Sequence, residues 1–329
     1  AAVALAEAAG WPVLAEPASN ARRGPNALTC YPLLLRSRAL RERLRVQQAV
    51  TVGRPTTSRS VLDLLADAEH HTVVHPTRQW ADPVRTADRV APAATVAADR
   101  ACATEWLAAW QAADHAARHA VDEVLTGDDA LTEARLARDL PATLDAGAML
   151  FLGSSMAVRA VDMFMSPRRD IRLMANRGLS GIDGSVSTAV GAALAHRRLG
   201  GGPACALLGD LTFLHDQNGL VLGPHDARPD LTIIVINNNG GGIFSLLPYQ
   251  RLGAEFERLF GTPHDVSLSA VADAAGWKYE QVTHASQLSS ALRSGGPRIV
   301  EVRTDRSATA AQYEHLHAAV DRALAVGPV

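Results

Sequence analysis

Two predominantly apolar segments, about one helix apart, place the strongest limit on how this sequence can fold. Residues 204–208 lead into Gly209 and Asp210, and residues 231–236 lead into the polar run 237–242. Apolar runs without alternation, flanked by helical patterns, are typical of parallel strands that are buried on both faces. Ligands of such sheets bind beyond the carboxyl ends of the strands. The sequence therefore predicts an α/β fold with a ligand site at the ends of these two strands.

Helical and extended patterns alternate along the whole chain, which indicates layered α/β domains. At 329 residues the chain is long enough for two domains. We expect their border between residues 110 and 130, where an alanine-rich helical pattern gives way to the turn-like segment 126–129. Strands are predicted at 12–15, 49–52, 71–74, 149–152, 171–174, 204–208, 231–236, 278–282 and 298–302, and helices at 60–66, 101–124, 131–140, 186–198, 213–222, 268–275, 286–293 and the C-terminus.

The composition argues against several classes of protein. Hydrophobic residues make up 47% of the chain and charged residues 20%, as in globular proteins with a buried core. The net charge of −2 argues against nucleic acid or an anionic membrane as partner, and no apolar run approaches the roughly 20 residues of a membrane helix. Cys30, Cys102 and Cys205 have no metal-like spacing, which favours a reducing cytoplasm. We expect Cys205 to be buried within its strand.

The residues after the two apolar strands predict a site for magnesium and a diphosphate. Asp210 and Asn238 are 28 positions apart, about one strand–helix–strand unit, so both can reach one ion. Magnesium prefers six oxygen ligands, which the Asp210 carboxylate, the Asn238 amide and the Gly240 carbonyl can supply together with phosphate and water. Glycines allow close approach of the backbone, and a helix that begins after Asp210 directs N–H groups at an anion. Either segment alone is as ordinary as any strand end or turn, and only the combination indicates a site.

This pattern resembles the magnesium–diphosphate motif of thiamine-diphosphate enzymes, in which Gly-Asp is followed one crossover later by a pair of asparagines. Most of those enzymes have a small residue where Leu211 stands. That difference, with segments 212–216, 239–244 and 176–184, resembles the 2-succinyl-5-enolpyruvyl-6-hydroxy-3-cyclohexene-1-carboxylate synthases (MenD) of menaquinone biosynthesis. The resemblance is sharpest from Gly153 to Phe244. It implies two doubly wound parallel-sheet domains of the thiamine-diphosphate enzyme type: a central domain at 1–120, truncated at its start, and a diphosphate-binding domain at 121–329.

The resemblance also implies an activity. The family uses thiamine diphosphate and Mg²⁺ (or Mn²⁺) to decarboxylate 2-oxoglutarate and add the succinyl-semialdehyde unit to isochorismate. It implies a cytoplasmic transferase that works as a homo-oligomer, at least a dimer. In this family a glutamate on a preceding domain, usually of the partner subunit, activates the aminopyrimidine ring. We expect the chain to be the C-terminal part of such an enzyme, with little or no turnover alone.

Several residues match the family positions that contact substrates. Both substrates carry two carboxylates, so the site needs fixed cations, and arginine holds carboxylates through paired bonds. Lys278 is the only lysine, which leaves this task to arginine. The resemblance assigns it to Arg59, Arg159 and Arg177, with Arg54 as a substitute for Arg59. Ser155 lies one helical turn before Arg159, so the two face the same way.

The resemblance assigns the remaining positions to the cofactor. Ile182 would support the bent form of thiamine, and Ile243, Phe244 and Leu247 would form an apolar wall over its ring. Core packing is the other interpretation of Ile243 and Phe244. The full expected cofactor set is Ile182, Gly209, Asp210, Leu211, Asn238, Gly240, Gly241, Ile243, Phe244 and Leu247, of which Asp210, Asn238 and Gly240 bind the metal.

Two other functions remain open on the residues alone. One is a thiamine-diphosphate decarboxylase or ligase with different substrates, against which the three arginines argue. The other is a non-catalytic nucleotide-binding module, although the sequence has neither a P-loop nor a convincing dinucleotide fingerprint. His215 fits either an acid–base or a structural role, and His264 has no assigned role.

Overall fold

The computed structural model describes residues 1–77, 80–95 and 104–326. They form two compact units: unit 1 contains residues 1–124, 166–169 and those from Leu316 onwards, and unit 2 contains residues 125–165 and 170–315. The predicted border at residue 120 stays a prediction. Cys102, and the start of the helix predicted from residue 101, lie outside the described residues.

Helices and parallel strands alternate along the chain. The helices are α1 (Ala2–Ala9), α2 (Tyr31–Leu34), α3 (Arg38–Arg43), α4 (Arg59–Asp67), α5 (Thr104–Leu125), α6 (Glu133–Thr143), α7 (Met156–Phe164), α8 (Ser185–Arg198), α9 (Asp210–His215), α10 (Ala254–Phe256), α11 (Leu268–Ala275), α12 (Ala285–Arg293) and α13 (Arg306–Val326). The strands are β1 (Gln48–Val52), β2 (His70–Val74), β3 (Arg89–Ala91), β4 (Met149–Leu152), β5 (Arg172–Ala175), β6 (Ala204–Gly209), β7 (Leu231–Asn237), β8 (Lys278–Val282) and β9 (Arg298–Arg303). Short 3-10 segments in the described ranges are Pro17–Ser19, Gln217–Leu220, Gly242–Leu246 and Pro248–Leu252, and Glu257–Gly261 forms a π-helical turn.

Unit 1 contains a three-stranded parallel sheet in the order β1-β2-β3. Val73 and Val74 of β2 are buried, as are Leu64 and Leu65 of α4. The strand predicted at 12–15 is wrong: Val13 forms only an isolated bridge to Ala27. Pro12 explains the failure, because proline has no N–H to donate to a ladder of hydrogen bonds. Strand β3 was not predicted.

Unit 2 contains a six-stranded, all-parallel sheet in the order β5-β4-β6-β7-β9-β8. The first six residues of β7 are buried without interruption, and so are the first five of β6. Successive side chains of a strand point to opposite faces, so the sheet is covered on both. The predicted α/β fold is confirmed, and Cys205 is buried as expected.

The register brings the polar ends of β6 and β7 to one edge of the sheet. Gly209 pairs with Ile236, so Asp210 and Asn237 follow at the same level. One predicted helix was wrong in its bounds: instead of 213–222, α9 begins at Asp210 and ends at His215, and a separate 3-10 turn follows. Asp216 lies at this break, where its carboxylate accepts hydrogen bonds from the backbone and the side chain of Ser187. The Asp216 carboxylate thus bonds to the first turn of α8.

Candidate functional site

Asp210 stands at the first position of α9, directly after β6. Its side chain is buried, and its two carboxylate oxygens have different neighbours. Oδ1 accepts a hydrogen bond from the backbone N–H of Leu211 (2.6 Å), and Oδ2 accepts one from the N–H of Gly240 (2.9 Å). The imidazole Nε2 of His264 lies 3.3 Å from Oδ2. The carboxylate therefore joins the loop after β6 directly to the loop after β7.

The asparagines that follow β7 are fixed by separate contacts. Asn237 donates from Nδ2 to the buried carboxylate of Glu301 (2.8 Å) and accepts from the backbone N–H of Asn239 (3.1 Å). Asn239 has a φ of +57°, and its side-chain oxygen accepts from the N–H groups of His264 and Asp265, each at 3.0 Å. A left-handed φ is one that asparagine tolerates better than most residues. The outer two asparagines thus shape the loop.

Asn238, between them, presents a polar atom that has no protein partner. Its Nδ2 donates to Oε1 of Glu133 (2.8 Å), whereas its Oδ1 is buried and makes no hydrogen bond. A buried acceptor without a partner is costly and calls for an explanation such as a bound ion. Among the described residues, no group of three or more His, Cys, Asp and Glu side chains is arranged to hold a metal. A cation here would need amide and carbonyl oxygens beside Asp210, which suits magnesium.

Two glycines in the same loop allow contact between two stretches of backbone. Gly240 has a φ of +136°, and Gly241 donates to the carbonyl of Gly261 (2.8 Å). A Cβ on Gly240 would collide with that carbonyl oxygen, and a Cβ on Gly241 would collide with the Phe260 carbonyl. The carbonyl of Gly240 itself accepts from the N–H of Gly242 (3.0 Å). Only glycine fits these two positions.

Two of the predicted substrate-binding arginines lie close together in unit 2. Arg159 of α7 donates from Nη1 to the backbone carbonyl of Ser155 (2.8 Å), four residues earlier. Burial lowers the pKa of the Arg159 guanidinium, and the positive charge of Arg177 lowers it further. Two neighbouring half-buried cations form an arrangement that an anion with two carboxylates would stabilise. Ser155 holds a φ of +68°, an unusual value for serine that is often found at functional sites.

The third arginine, Arg59, lies in unit 1 at the start of α4. Its side chain is 90% exposed and its Nε lies 3.8 Å from Asp63. Exposed pairs of this kind contribute little to stability, so the guanidinium is available to other anions. A substrate-binding role for Arg59 stays a prediction.

The predicted apolar wall follows the glycine loop. Ile243 is half-buried, whereas Phe244 is 36% exposed and Leu247 is 40% exposed. The ring of Phe244 contacts that of Phe260, with centroids 5.6 Å apart. Simple core packing is therefore not the environment of Phe244 or Leu247. Ile182 is half-buried in the loop before α8, where its carbonyl accepts from the hydroxyl of Ser185 (2.8 Å).

Sequence reasoning missed two charged residues that support the site. Glu133, at the start of α6, is buried against Asn238, and burial raises the pKa of its carboxyl although three hydrogen bonds oppose the shift. Arg306, at the start of α13, donates to the backbone carbonyl of Asn239 and to Glu257. Neither has a local signal, because each reaches the loop from a distant part of the chain. His264, which had no predicted role, lies beside Asp210, and His215 is exposed at the end of α9.

Comparison with known families decides the class of this site. A profile described as the middle domain of thiamine pyrophosphate matches residues 1–152. A second, described as the C-terminal TPP binding domain of thiamine pyrophosphate enzymes, matches residues 154–302, which include the loops after β6 and β7. The chain belongs to the thiamine pyrophosphate enzymes.

Within this family the chain is similar to curated enzymes named 2-succinyl-5-enolpyruvyl-6-hydroxy-3-cyclohexene-1-carboxylate synthase. That of Thermobifida fusca is 52% identical over 322 residues, which cover 98% of this chain and 58% of the relative. That of Saccharopolyspora erythraea is 42% identical, with the same coverage of 98% and 58%. The synthase of Oceanobacillus iheyensis is 35% identical and covers 90% of this chain and 54% of the relative. The chain spans a little over half the length of these relatives.

A solved structure supports the fold alone. Benzoylformate decarboxylase from Polynucleobacter necessarius superimposes with a TM-score of 0.60 at 16% identity, covering 93% of this thiamine pyrophosphate enzyme and 58% of the other chain. Among the described residues, every helix is too short or too polar to span a membrane.

Proposed function

We propose that this chain is the central and cofactor-binding part of a 2-succinyl-5-enolpyruvyl-6-hydroxy-3-cyclohexene-1-carboxylate synthase. Such an enzyme decarboxylates 2-oxoglutarate and adds the remaining succinyl-semialdehyde unit to isochorismate. The observation that carries the proposal is the match of nearly the whole chain to enzymes with that name. Residues 1–120 would form the central domain and residues 121–329 the diphosphate-binding domain.

The metal of the proposed site is Mg²⁺ or Mn²⁺, held by Asp210, Asn238 and the backbone carbonyl of Gly240. The unpartnered, buried Oδ1 of Asn238 supports this assignment, because a cation would satisfy it. The charge of Asp210, in a buried setting, adds electrostatic attraction. Gly209, Leu211 and Gly241 would contact the diphosphate through backbone atoms near the start of α9.

Thiamine diphosphate, when bound, supplies a carbon centre that stabilises the negative charge left by decarboxylation. The chain's own residues position it and the substrates. Ile182 would support the ring from the α8 side, and Ile243, Phe244 and Leu247 would exclude water from its other face. The partial exposure of Phe244 and Leu247 is consistent with a surface that a ligand covers.

The substrates are two dicarboxylates, and the proposed cations suit them. Arg159 and Arg177 would bind and orient carboxylates beside the cofactor, with Ser155 as a hydrogen-bond donor at the start of α7. Their mutual proximity is reflected in the lowered pKa of Arg159, for which burial is the larger cause. Arg59 would bind a further carboxylate. The intact enzyme would be a cytoplasmic homo-oligomer of at least two subunits.

Calorimetry on the 329-residue chain tests the cofactor assignment. We expect thiamine diphosphate to bind in the presence of Mg²⁺ and to bind at least about tenfold more weakly in Asp210→Ala, since the variant removes a charged ligand of the cation. Asp226→Ala changes an exposed carboxylate outside the site and serves as the matched control. Binding of ATP or NAD without thiamine diphosphate would contradict the proposal and favour a nucleotide-binding module.

A further inference from the structure

Glu133 is a buried acidic residue whose contacts the proposed function has not used. It is the first residue of α6, and its side chain is only 2% exposed. Three donors converge on its Oε1: Nδ2 of Asn238 at 2.8 Å, the hydroxyl of Thr304 at 3.0 Å and the hydroxyl of Thr309 at 3.3 Å. Burial of a carboxylate is costly unless such bonds compensate. Placing the Glu133 carboxylate beside Asn238 therefore costs free energy, and a functional role would explain why it is there.

The chemistry of the two side chains fixes the direction of the Asn238 amide. An amide has one donating end and one accepting end, whereas the Glu133 oxygen accepts. The opposite orientation would place two oxygens in contact at the 2.8 Å now occupied by a hydrogen bond. With Nδ2 held by Glu133, Oδ1 faces the other way, where it is buried and has no protein partner.

We infer that Glu133 is a positioning residue that directs the Asn238 amide oxygen at the cation of the proposed site. The inference rests on the proposed function and deepens it: Glu133 does not touch the ion but determines which end of Asn238 does. Partners that orient metal ligands in this way change metal affinity strongly when they are replaced. Thr304 and Thr309 would in turn hold Glu133 in place.

The first test replaces the carboxylate by an amide. In Glu133→Gln, the side chain at position 133 can donate or accept, so Asn238 can present either end to the ion. We expect the affinity of the chain for Mn²⁺, measured by electron paramagnetic resonance with excess thiamine diphosphate, to fall about tenfold. Glu314→Gln is the matched control, because it makes the same chemical change at an exposed position of α13, outside this network. We expect it to change the affinity by less than about threefold.

Exchanging the carboxylate and the amide between positions 133 and 238 distinguishes an effect of amide orientation from an effect of charge on Mn²⁺ affinity. In the double variant Glu133→Gln with Asn238→Asp, the new carboxylate can accept from Gln and still offer an oxygen to the ion, so Mn²⁺ affinity recovers. In Asn238→Asp alone, two acceptors face each other, and binding is weaker than in the double variant. An influence of charge alone predicts the reverse order, because the single variant is the more acidic. Thermal unfolding of all four variants shows whether each is folded.

The outcomes distinguish this inference from the proposed function. If the unmodified chain binds no Mn²⁺ with thiamine diphosphate, the proposed site is wrong and the inference with it. If the chain binds Mn²⁺ but Glu133→Gln binds it equally well, or Asn238→Asp alone binds as tightly as the double variant, only the positioning role is overturned.

Discussion

At the scale of single residues, both side-chain hydrogen bonds and close backbone contacts fix the loop after β7. Asn237 and Asn239 use their side chains to hold the loop, whereas the buried Oδ1 of Asn238 has no hydrogen-bond partner in the protein. Gly240 contributes through the lack of a side chain, at a φ of +136° and in contact with Gly261. An added methyl group would meet backbone, which cannot move aside as the end of a flexible side chain can.

Gly240→Ala tests this steric limit. We expect a loss of about 2–4 kcal/mol in the free energy of unfolding, because the variant adds both a strained φ and a collision with backbone. The measurement is urea denaturation followed by circular dichroism. Gly191→Ala is the matched control: it lies exposed within α8 with open space around it, so alanine should raise stability by about 0.5–1 kcal/mol. Equal effects of the two substitutions would contradict the steric explanation.

At the scale of elements, one carboxylate links three neighbouring strands of unit 2. Glu301 of β9 accepts from Asn237 at the end of β7 and from the hydroxyl of Tyr279 on β8. Arg303 donates to it as well, at 2.7 Å. Burial alone would raise the pKa of Glu301, but these hydrogen bonds outweigh it and the net pKa is lowered. The ionised form is therefore the one that the folded sheet stabilises.

This lowered pKa predicts an acid-dependent loss of stability. A carboxyl whose folded pKa is depressed contributes stability above its unfolded pKa of about 4.3, and loses that contribution as the pH falls through the folded pKa. We expect Glu301→Gln to be less stable than the unmodified chain at pH 7 and to lose less stability below about pH 4.5. Thermal melts between neutral and acid pH measure both. Glu314→Gln, at an exposed position of α13, should follow the unmodified chain; parallel curves for Glu301→Gln would refute the linkage.

The sequence predicted most strands and helices, but it did not predict which distant side chains contact each other. The runs 204–208 and 231–236 are so apolar that burial on both faces was the one consistent environment, and the sheet has them at its centre. Local patterns failed at two places: Pro12 has no N–H for strand pairing, and the helix predicted at 213–222 ends at His215. The role of Glu133 could not be predicted, since its contact with Asn238 joins positions 105 apart in sequence and has no local sequence pattern.

At the scale of the molecule, the residues of the proposed metal site all belong to unit 2. Asp210, Asn238 and Gly240 come from two loops, and Glu133 reaches them from a third part of the same unit. A ligand bound there stabilises the native form of the unit that holds it by mass action. The ligand should therefore stabilise unit 2 more than unit 1.

Hydrogen exchange with mass spectrometry measures this difference in stabilisation between the two units. With thiamine diphosphate and Mg²⁺ at a hundred times the dissociation constant, the stabilisation is about 2.7 kcal/mol. We expect slower exchange in peptides that cover the ends of β6 and β7 and the start of α6. Peptides of β1 and β2 in unit 1 are the internal comparison and should change least. Protection confined to unit 1 would show that the ligand binds elsewhere.

The glycine contact between the β7 loop and Gly261 has a consequence for how such an enzyme can diversify. The anchor consists of main-chain atoms, so it places no demand on the identity of the side chains that follow it. The segment just beyond, from Phe244 to Leu252, exposes several large apolar groups. Mutation can exchange those groups while the contact between Gly241 and Gly261 stays in place. Change in the exposed apolar surface and retention of the backbone anchor are thereby separated into adjacent stretches of one loop.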